Sequence, residues 1–192
     1  MNLPNKLTLT RIIIVPFFVA AMLIPFPLHH LVALLLFIVA SLTDMFDGKI
    51  AREQGLVTDF GKFADPLADK ILVLAALLCF VQNGLCDCVA VILVLLREFS
   101  VTSVRLLAAT SGKVVAANMW GKVKTVTQII AVIAILAMQT IKDLSVFGLT
   151  LPVETNGVFY IIGEILIWIS TFFAVLSGVI YLMQNRRFIS DI

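Results

Sequence analysis

Long apolar runs, separated by short polar breaks, set the pattern of this chain. A bilayer span needs about 20 largely apolar residues. Runs of that kind fall near residues 9–28, 31–50, 63–83, 88–108, 121–141 and 158–183. The first carries Pro16, Pro25 and Pro27, which membrane helices tolerate where neighbours satisfy the freed carbonyls. Ahead of it, "NLPNKLTLTR" reads as a short interfacial helix. Pro4 and Asn5 start it, and Leu3, Leu7 and Ile12 share an apolar side. The predicted fold class is an all-α integral membrane protein: six transmembrane helices preceded by a short interfacial helix.

Composition strengthens this. The 192 residues are 61% hydrophobic with a mean hydropathy of +1.09, whereas soluble domains are nearer half apolar. Six spans consume about 120 residues, so residues 1–192 are expected to form a single membrane domain with no separate soluble part. The net charge of +2 says little, but its distribution says more. Lys6, Arg11, Lys49, Arg52, Lys62, Arg105, Lys113, Lys122, Lys124, Arg186 and Arg187 fall on one side of a six-span arrangement. The other side holds Lys142 with Asp87, Asp143 and Glu154. By the positive-inside rule the first side, with both termini, faces the cytoplasm. Lys6 and Arg11 before an apolar run imitate a secretory leader, but no small-residue cleavage site leads into a soluble domain. A retained span in a bacterial plasma (inner) membrane is expected, with lipid and small-molecule partners and no nucleic acid. The three cysteines make no disulfide framework. Cys86 and Cys88 are expected in a short loop.

The chemistry concentrates in "DMFDGKIAREQGLVTDFGKFADPLAD", residues 44–69, with five aspartates. Asp44 and Asp47 are three apart, and Asp65 and Asp69 four apart, so each pair shares a helix face. Gly48, Gly55 and Gly61 permit tight backbone, and a helix–turn–helix is predicted, with two carboxylates on each arm. Uncompensated, four facing carboxylates would have raised pKa values. Bound divalent cations remove that conflict, and hard oxygen ligands suit Mg²⁺ or Mn²⁺. Two such ions can clamp a phosphoryl group. Arg52 offers a planar fork for phosphate. The plain alternative is a solvated helix end paired with Lys49, Arg52, Lys62 and Lys70. Asp59 is read as a solvated loop charge.

The pattern D-x-x-D-G-x-x-A-R, eight residues, G-x-x-x-D-x-x-x-D, carried by Asp44, Asp47, Gly48, Ala51, Arg52, Gly61, Asp65 and Asp69, resembles the signature of the CDP-alcohol phosphatidyltransferases. These six-span enzymes move a substituted phosphate from a CDP-linked donor to an acceptor hydroxyl, releasing CMP. The resemblance implies that Asp44, Asp47, Asp65 and Asp69 hold two divalent cations, with Asp69 also the general base. It implies that Asn5, Thr8, Gly48, Ala51, Arg52 and Gly61, with Asp44 and Asp65, form the CDP site. It also implies a homodimer.

A second stretch, "REFSVTSVRLLAATSGKVVAANMWGKVKT" at 97–125, puts Arg97 and Glu98 inside a span, where charge is costly and usually functional. Thr102 and Arg105 lie within about 40° of Glu98 around a helix. Arg105, Lys113, Lys122 and Lys124, with Arg97, form a cradle for an anionic acceptor, although each alone reads as an anchor or a bundle-holding ion pair. R-E-F, G-K-x-K-T and the N-terminal P-N-x-L-T-x-x-R resemble the phosphatidylglycerophosphate-forming branch of the family, with Ser103 in place of an expected glycine. That branch implies CDP-diacylglycerol as donor and sn-glycerol 3-phosphate as acceptor. Inositol phosphate or serine as acceptor is an alternative within the family. Outside it stand a divalent-cation transporter and a structural membrane protein. A transporter would be expected to hold its site near the midplane on broken, repeat-related helices, and no second acidic cluster matches the first.

Overall fold

The computed structural model describes the backbone of residues 3–54, 59–110, 119–144 and 155–186, and the side chains there except at 3–8, 44–54, 59–69, 109–110 and 156. Six helices run through these residues: α1 Leu3–Leu23, α2 His29–Gln54, α3 Asp59–Gln82, α4 Cys88–Thr110, α5 Met119–Leu144 and α6 Thr155–Gln184. No strand occurs among the described residues. Each predicted apolar run overlaps one helix, although the first, 9–28, runs past the end of α1 at Leu23. α5 and the stretch Gly157–Gln184 of α6 meet, by length and apolar composition, the requirement for crossing a membrane. Every helix exposes large apolar side chains, among them Phe17, Leu35, Leu78, Phe99, Ile130 and Phe172. Apolar exposure on this scale is uncommon in a soluble monomer, and it fits a membrane protein.

Three local readings change. The expected interfacial helix is not separate, because α1 is continuous from Leu3 through Pro16. Gly48 and Gly61 lie inside α2 and α3 and not in a turn, and Gly55 lies outside the described residues. Asp59 opens α3 and is not a loop residue.

The chain divides into two compact units. The first comprises residues 1–83 and 132–159, the second 84–131 and 160–192. In the first, α1 packs against α2 and α3. Arg11, Val15, Phe18 and Met22, at three- and four-residue steps, form the buried stripe of α1, and Ala33, Phe37 and Ala40 that of α2. Phe18 and Phe37 meet with ring centroids 6.0 Å apart. α1 cannot continue its hydrogen-bond ladder past Ile24, because Pro25 and Pro27 have no N–H. The freed carbonyls find other donors. The ring Nδ1 of His29 donates to Ala21 at 3.0 Å, and Asn83 Nδ2 donates to Met22 at 3.2 Å. Gly84, at φ 64°, takes the left-handed conformation just past the end of α3, the usual helix stop.

In the second unit the buried stripes are partly polar. They hold Glu98 among Val91, Val94, Val101 and Val104 on α4, Lys124 and Gln128 on α5, and Ser170, Thr171 and Ser177 on α6. The loop before α4 holds Cys86, buried, while Cys88 at the helix start is exposed. Burial, then the nearby Glu164 and Asp87 carboxylates, push the Cys86 thiol up to about 12. Since the thiolate is the nucleophile, a maleimide at neutral pH should modify Cys88 and spare Cys86 in the folded protein. Mass analysis of Cys86→Ser and Cys88→Ser variants checks this, and equal labelling of both sites would contradict the buried loop.

Candidate active site

The aspartate motif lies on the first unit's adjoining helices α2 and α3. Backbone positions 44, 47, 48, 51 and 52 are helical in α2, and 61, 65 and 69 are helical in α3. In a regular helix, positions 44 and 47 are about 60° apart around the axis and positions 65 and 69 about 40° apart. The predicted two-armed arrangement is therefore present in the backbone. The side chains of these residues, and of Asn5 and Thr8, lie outside the described ones, as does Lys113. Glycine inside a helix costs roughly 1 kcal/mol against alanine. Gly48 and Gly61 thus weaken the helices they occupy, and a bulkier side chain there would stand between α2 or α3 and anything approaching their backbone.

The second unit holds the basic residues expected to take the acceptor phosphate, and it separates them into two kinds. Arg97 and Lys124 are buried in an ion cluster around one carboxylate. Arg97 Nη1 donates to Glu98 Oε1 at 2.8 Å, and Lys124 Nζ reaches the same oxygen at 2.5 Å. The side chains of Arg97, Lys124 and Glu98 are 11%, 10% and 6% exposed. Arg97 Nη2 also donates to Ser177 Oγ on α6 at 2.7 Å. Arg105 and Lys122 are exposed and make no ion pair among the described residues. Glu98 and Arg105 share a face, as the spacing predicted. They differ in burial because seven residues separate them by about 10 Å along α4.

Arg97 lies across α6 where that helix has no side chain. A Cβ at Gly178 would stand 2.6 Å from Arg97 Cγ. Cγ is close to the root of the arginine, so it cannot swing clear without moving the guanidinium. Gly178→Ala should displace Arg97 from Ser177 and Glu98 and destabilise the protein by about 1–3 kcal/mol, as overpacking does. A lowered thermal midpoint in detergent would register it, whereas an unchanged midpoint would mean that α6 shifts freely.

Ser177 and Gly178 were not singled out in the sequence. Their only signal is a small-residue pair in an apolar run, the kind of position where membrane helices approach closely. Gln128 was missed too. It is 1% exposed on α5, and neither its Oε1 nor its Nε2 has a hydrogen-bond partner among the described residues. An amide in the middle of an apolar span was the available sign.

The profile of the CDP-alcohol phosphatidyltransferase family matches residues 1–176. A Bacillus subtilis protein, CDP-diacylglycerol--glycerol-3-phosphate 3-phosphatidyltransferase, is 46% identical, with 96% of this chain and 95% of the relative covered. A Rickettsia felis protein of the same name is 36% identical, with 97% of each chain covered. A probable phosphatidylglycerophosphate synthase of Mycobacterium tuberculosis is 35% identical, with 100% of this chain and 85% of the relative covered. With a family match that runs from residue 1 to 176, through both compact units, the chain belongs to the CDP-alcohol phosphatidyltransferase family.

Proposed function

We propose that this protein transfers the phosphatidyl group of CDP-diacylglycerol to sn-glycerol 3-phosphate, giving phosphatidylglycerophosphate and CMP. The observation that carries the reading is 46% identity to the Bacillus subtilis transferase over nearly the whole of both chains. Six spans with both termini cytoplasmic, in a bacterial plasma membrane, are supported by the one-sided distribution of Lys and Arg. One functional domain is supported by the extent of the family match. A homodimer belongs to the same proposal, since two-fold pairing is the commonest closed arrangement among oligomers.

Family members generally use divalent cations, and the donor set here fits them, since Asp44, Asp47, Asp65 and Asp69 offer only hard carboxylate oxygens. These four residues would hold two ions, Mg²⁺ or Mn²⁺. When bound, the ions offset the charge of the donor phosphates and of the departing CMP. Asn5, Thr8, Gly48, Ala51, Arg52 and Gly61, with Asp44 and Asp65, bind the CDP moiety. The glycines and Ala51 leave the backbone open to the nucleotide, and Arg52 forks onto phosphate. Asp69 takes the proton from the C1 hydroxyl of glycerol 3-phosphate as that oxygen attacks the β-phosphorus. The bond from the β-phosphorus to the oxygen bridging it to the CMP phosphate breaks, and CMP leaves with that oxygen. No covalent enzyme intermediate is needed.

Arg105 and Lys122 receive the acceptor phosphate, and their exposure, with no ion pair among the described residues, supports this role. Arg97 and Lys124 add positive potential, and Glu98 fixes their positions. Lys122→Ala should raise the apparent KM for glycerol 3-phosphate more than that for the lipid, and an unchanged acceptor KM would remove Lys122 from the site.

The reaction itself is tested by CMP release from purified protein with CDP-diacylglycerol and Mg²⁺ or Mn²⁺. Glycerol 3-phosphate, inositol 1-phosphate, inositol and serine are compared as acceptors. Turnover confined to glycerol 3-phosphate is expected. Turnover with another acceptor would keep the family and change the substrate.

A further inference from the structure

At the end of α2 remote from the aspartate motif, the first unit brings together His29, His30 and Asp143. One ligand atom from each lies within 4.8 Å of the others. His30 Nδ1 stands 3.0 Å from both carboxylate oxygens of Asp143, and the His30 backbone N–H donates to Oδ2 at 3.2 Å. The side chains of His30 and Asp143 are 13% and 16% exposed, so the pair is shielded but reachable. The His29 and His30 rings lie with centroids 3.9 Å apart.

We infer that His29, His30 and Asp143 form a second metal site, distinct from the aspartate motif, that takes a borderline transition-metal ion such as Zn²⁺. Two imidazoles and one carboxylate, with water as a fourth ligand, are a common tetrahedral zinc set. Imidazole ligands favour Zn²⁺ over the hard ions suited to the all-carboxylate motif. His29 is already oriented as metal-binding histidines usually are, with one ring N–H given to a backbone carbonyl. Pro25 causes this. Without an N–H at residue 25, the Ala21 carbonyl lacks its helical donor, His29 Nδ1–H supplies one, and the lone pair of Nε2 is left for a metal. Asp143, from the last turn of α5, already meets His30. Metal binding exchanges the proton between them for the ion, with His30 in its Nε2–H form. The site would cross-link the N-terminus of α2 to the C-terminus of α5. It lies about 22 Å along α2 from position 44, so it does not depend on the proposed reaction.

The test is Co²⁺ titration of the untagged, full-length protein in detergent, followed by Zn²⁺ competition. The intense visible bands of tetrahedral Co²⁺ are expected at one equivalent. Zn²⁺ abolishes them and excess Mg²⁺ does not. Asp44→Asn and the double variant Cys86→Ser/Cys88→Ser keep the bands. His30→Gln and Asp143→Asn weaken Zn²⁺ binding by at least about 100-fold, more than loss of an outer hydrogen bond to a ligand costs. Three results would each overturn the site: no tetrahedral bands in the wild-type protein, bands that survive His30→Gln, or bands lost with the cysteines. If the His30 variant does not fold, X-ray absorption of the Zn²⁺-loaded wild-type protein decides. Two imidazole ligands are expected, and a spectrum of oxygen ligands alone would refute the assignment.

Discussion

Asp69→Asn should insert and fold normally yet lose about 10²–10⁴-fold in phosphatidyl transfer, the usual contribution of a positioned general base. Asparagine has the size and shape of aspartate but cannot accept a proton from the acceptor hydroxyl. The helix around it does not depend on one carboxylate, because α3 runs unbroken from Asp59 to Gln82. The loss should fall on kcat, with little change in the KM for the CDP-lipid, since an interaction made only in the transition state is removed. Asp69 is also proposed to ligate a metal, so the two roles must be separated. If the deficit came from weakened metal binding alone, saturating Mg²⁺ or Mn²⁺ would restore turnover. Loss of the base predicts no recovery. Full activity in the variant would remove Asp69 from the base role and require another proton acceptor.

Glu98→Gln should destabilise the second unit by about 3–5 kcal/mol, the cost of breaking a buried ion pair by removing one partner. Two cations converge on Glu98 Oε1, and both side chains are almost fully shielded. Neutralising the carboxylate leaves Arg97 beside Lys124 in a place where neither is well solvated. Lys124→Met should cost less, because the Arg97–Glu98 pair survives it. Combining Glu98→Gln with Lys124→Met should recover part of the loss, which makes a double-mutant cycle informative. Thermal unfolding in detergent measures all three variants. A wild-type midpoint for Glu98→Gln would mean that the cluster is solvated and contributes little, as surface pairs do. The same cluster bears on function. Glu98 offsets one of the two charges of Arg97 and Lys124, so the cluster keeps a net positive charge beside exposed Arg105 and Lys122.

The polar stripes of α4, α5 and α6 and the apolar exposure of every helix have one physical origin. In a membrane the surroundings are as apolar as leucine, so burial of apolar surface does not drive helices together, and close packing and buried polar contacts contribute instead. Arg97 lying across Gly178, and its bond to Ser177, show both at one position.

The sequence by itself located the six long helices of the described residues, because apolar runs of span length are contiguous and need no knowledge of neighbours. It also determined the family, because the aspartate spacing is local: three and four residues suffice to put paired carboxylates on one face of a helix. It misplaced what depends on continuity and on partners. The segment from Leu3 to Arg11 read as a separate interfacial helix, yet α1 runs on from it through Pro16, a break that neighbouring groups can compensate. Only the tertiary structure decided which of four similar basic residues are occupied. Arg97 and Lys124 face a buried carboxylate while Arg105 and Lys122 do not, and a charge's partner is fixed by the packing of α4, α5 and α6, which no spacing encodes. It alone joined His30 to Asp143, 113 residues apart in the chain. Contacts of that separation arise from how helix ends meet, and two adjacent histidines and a distant aspartate carry no mark of it in the sequence.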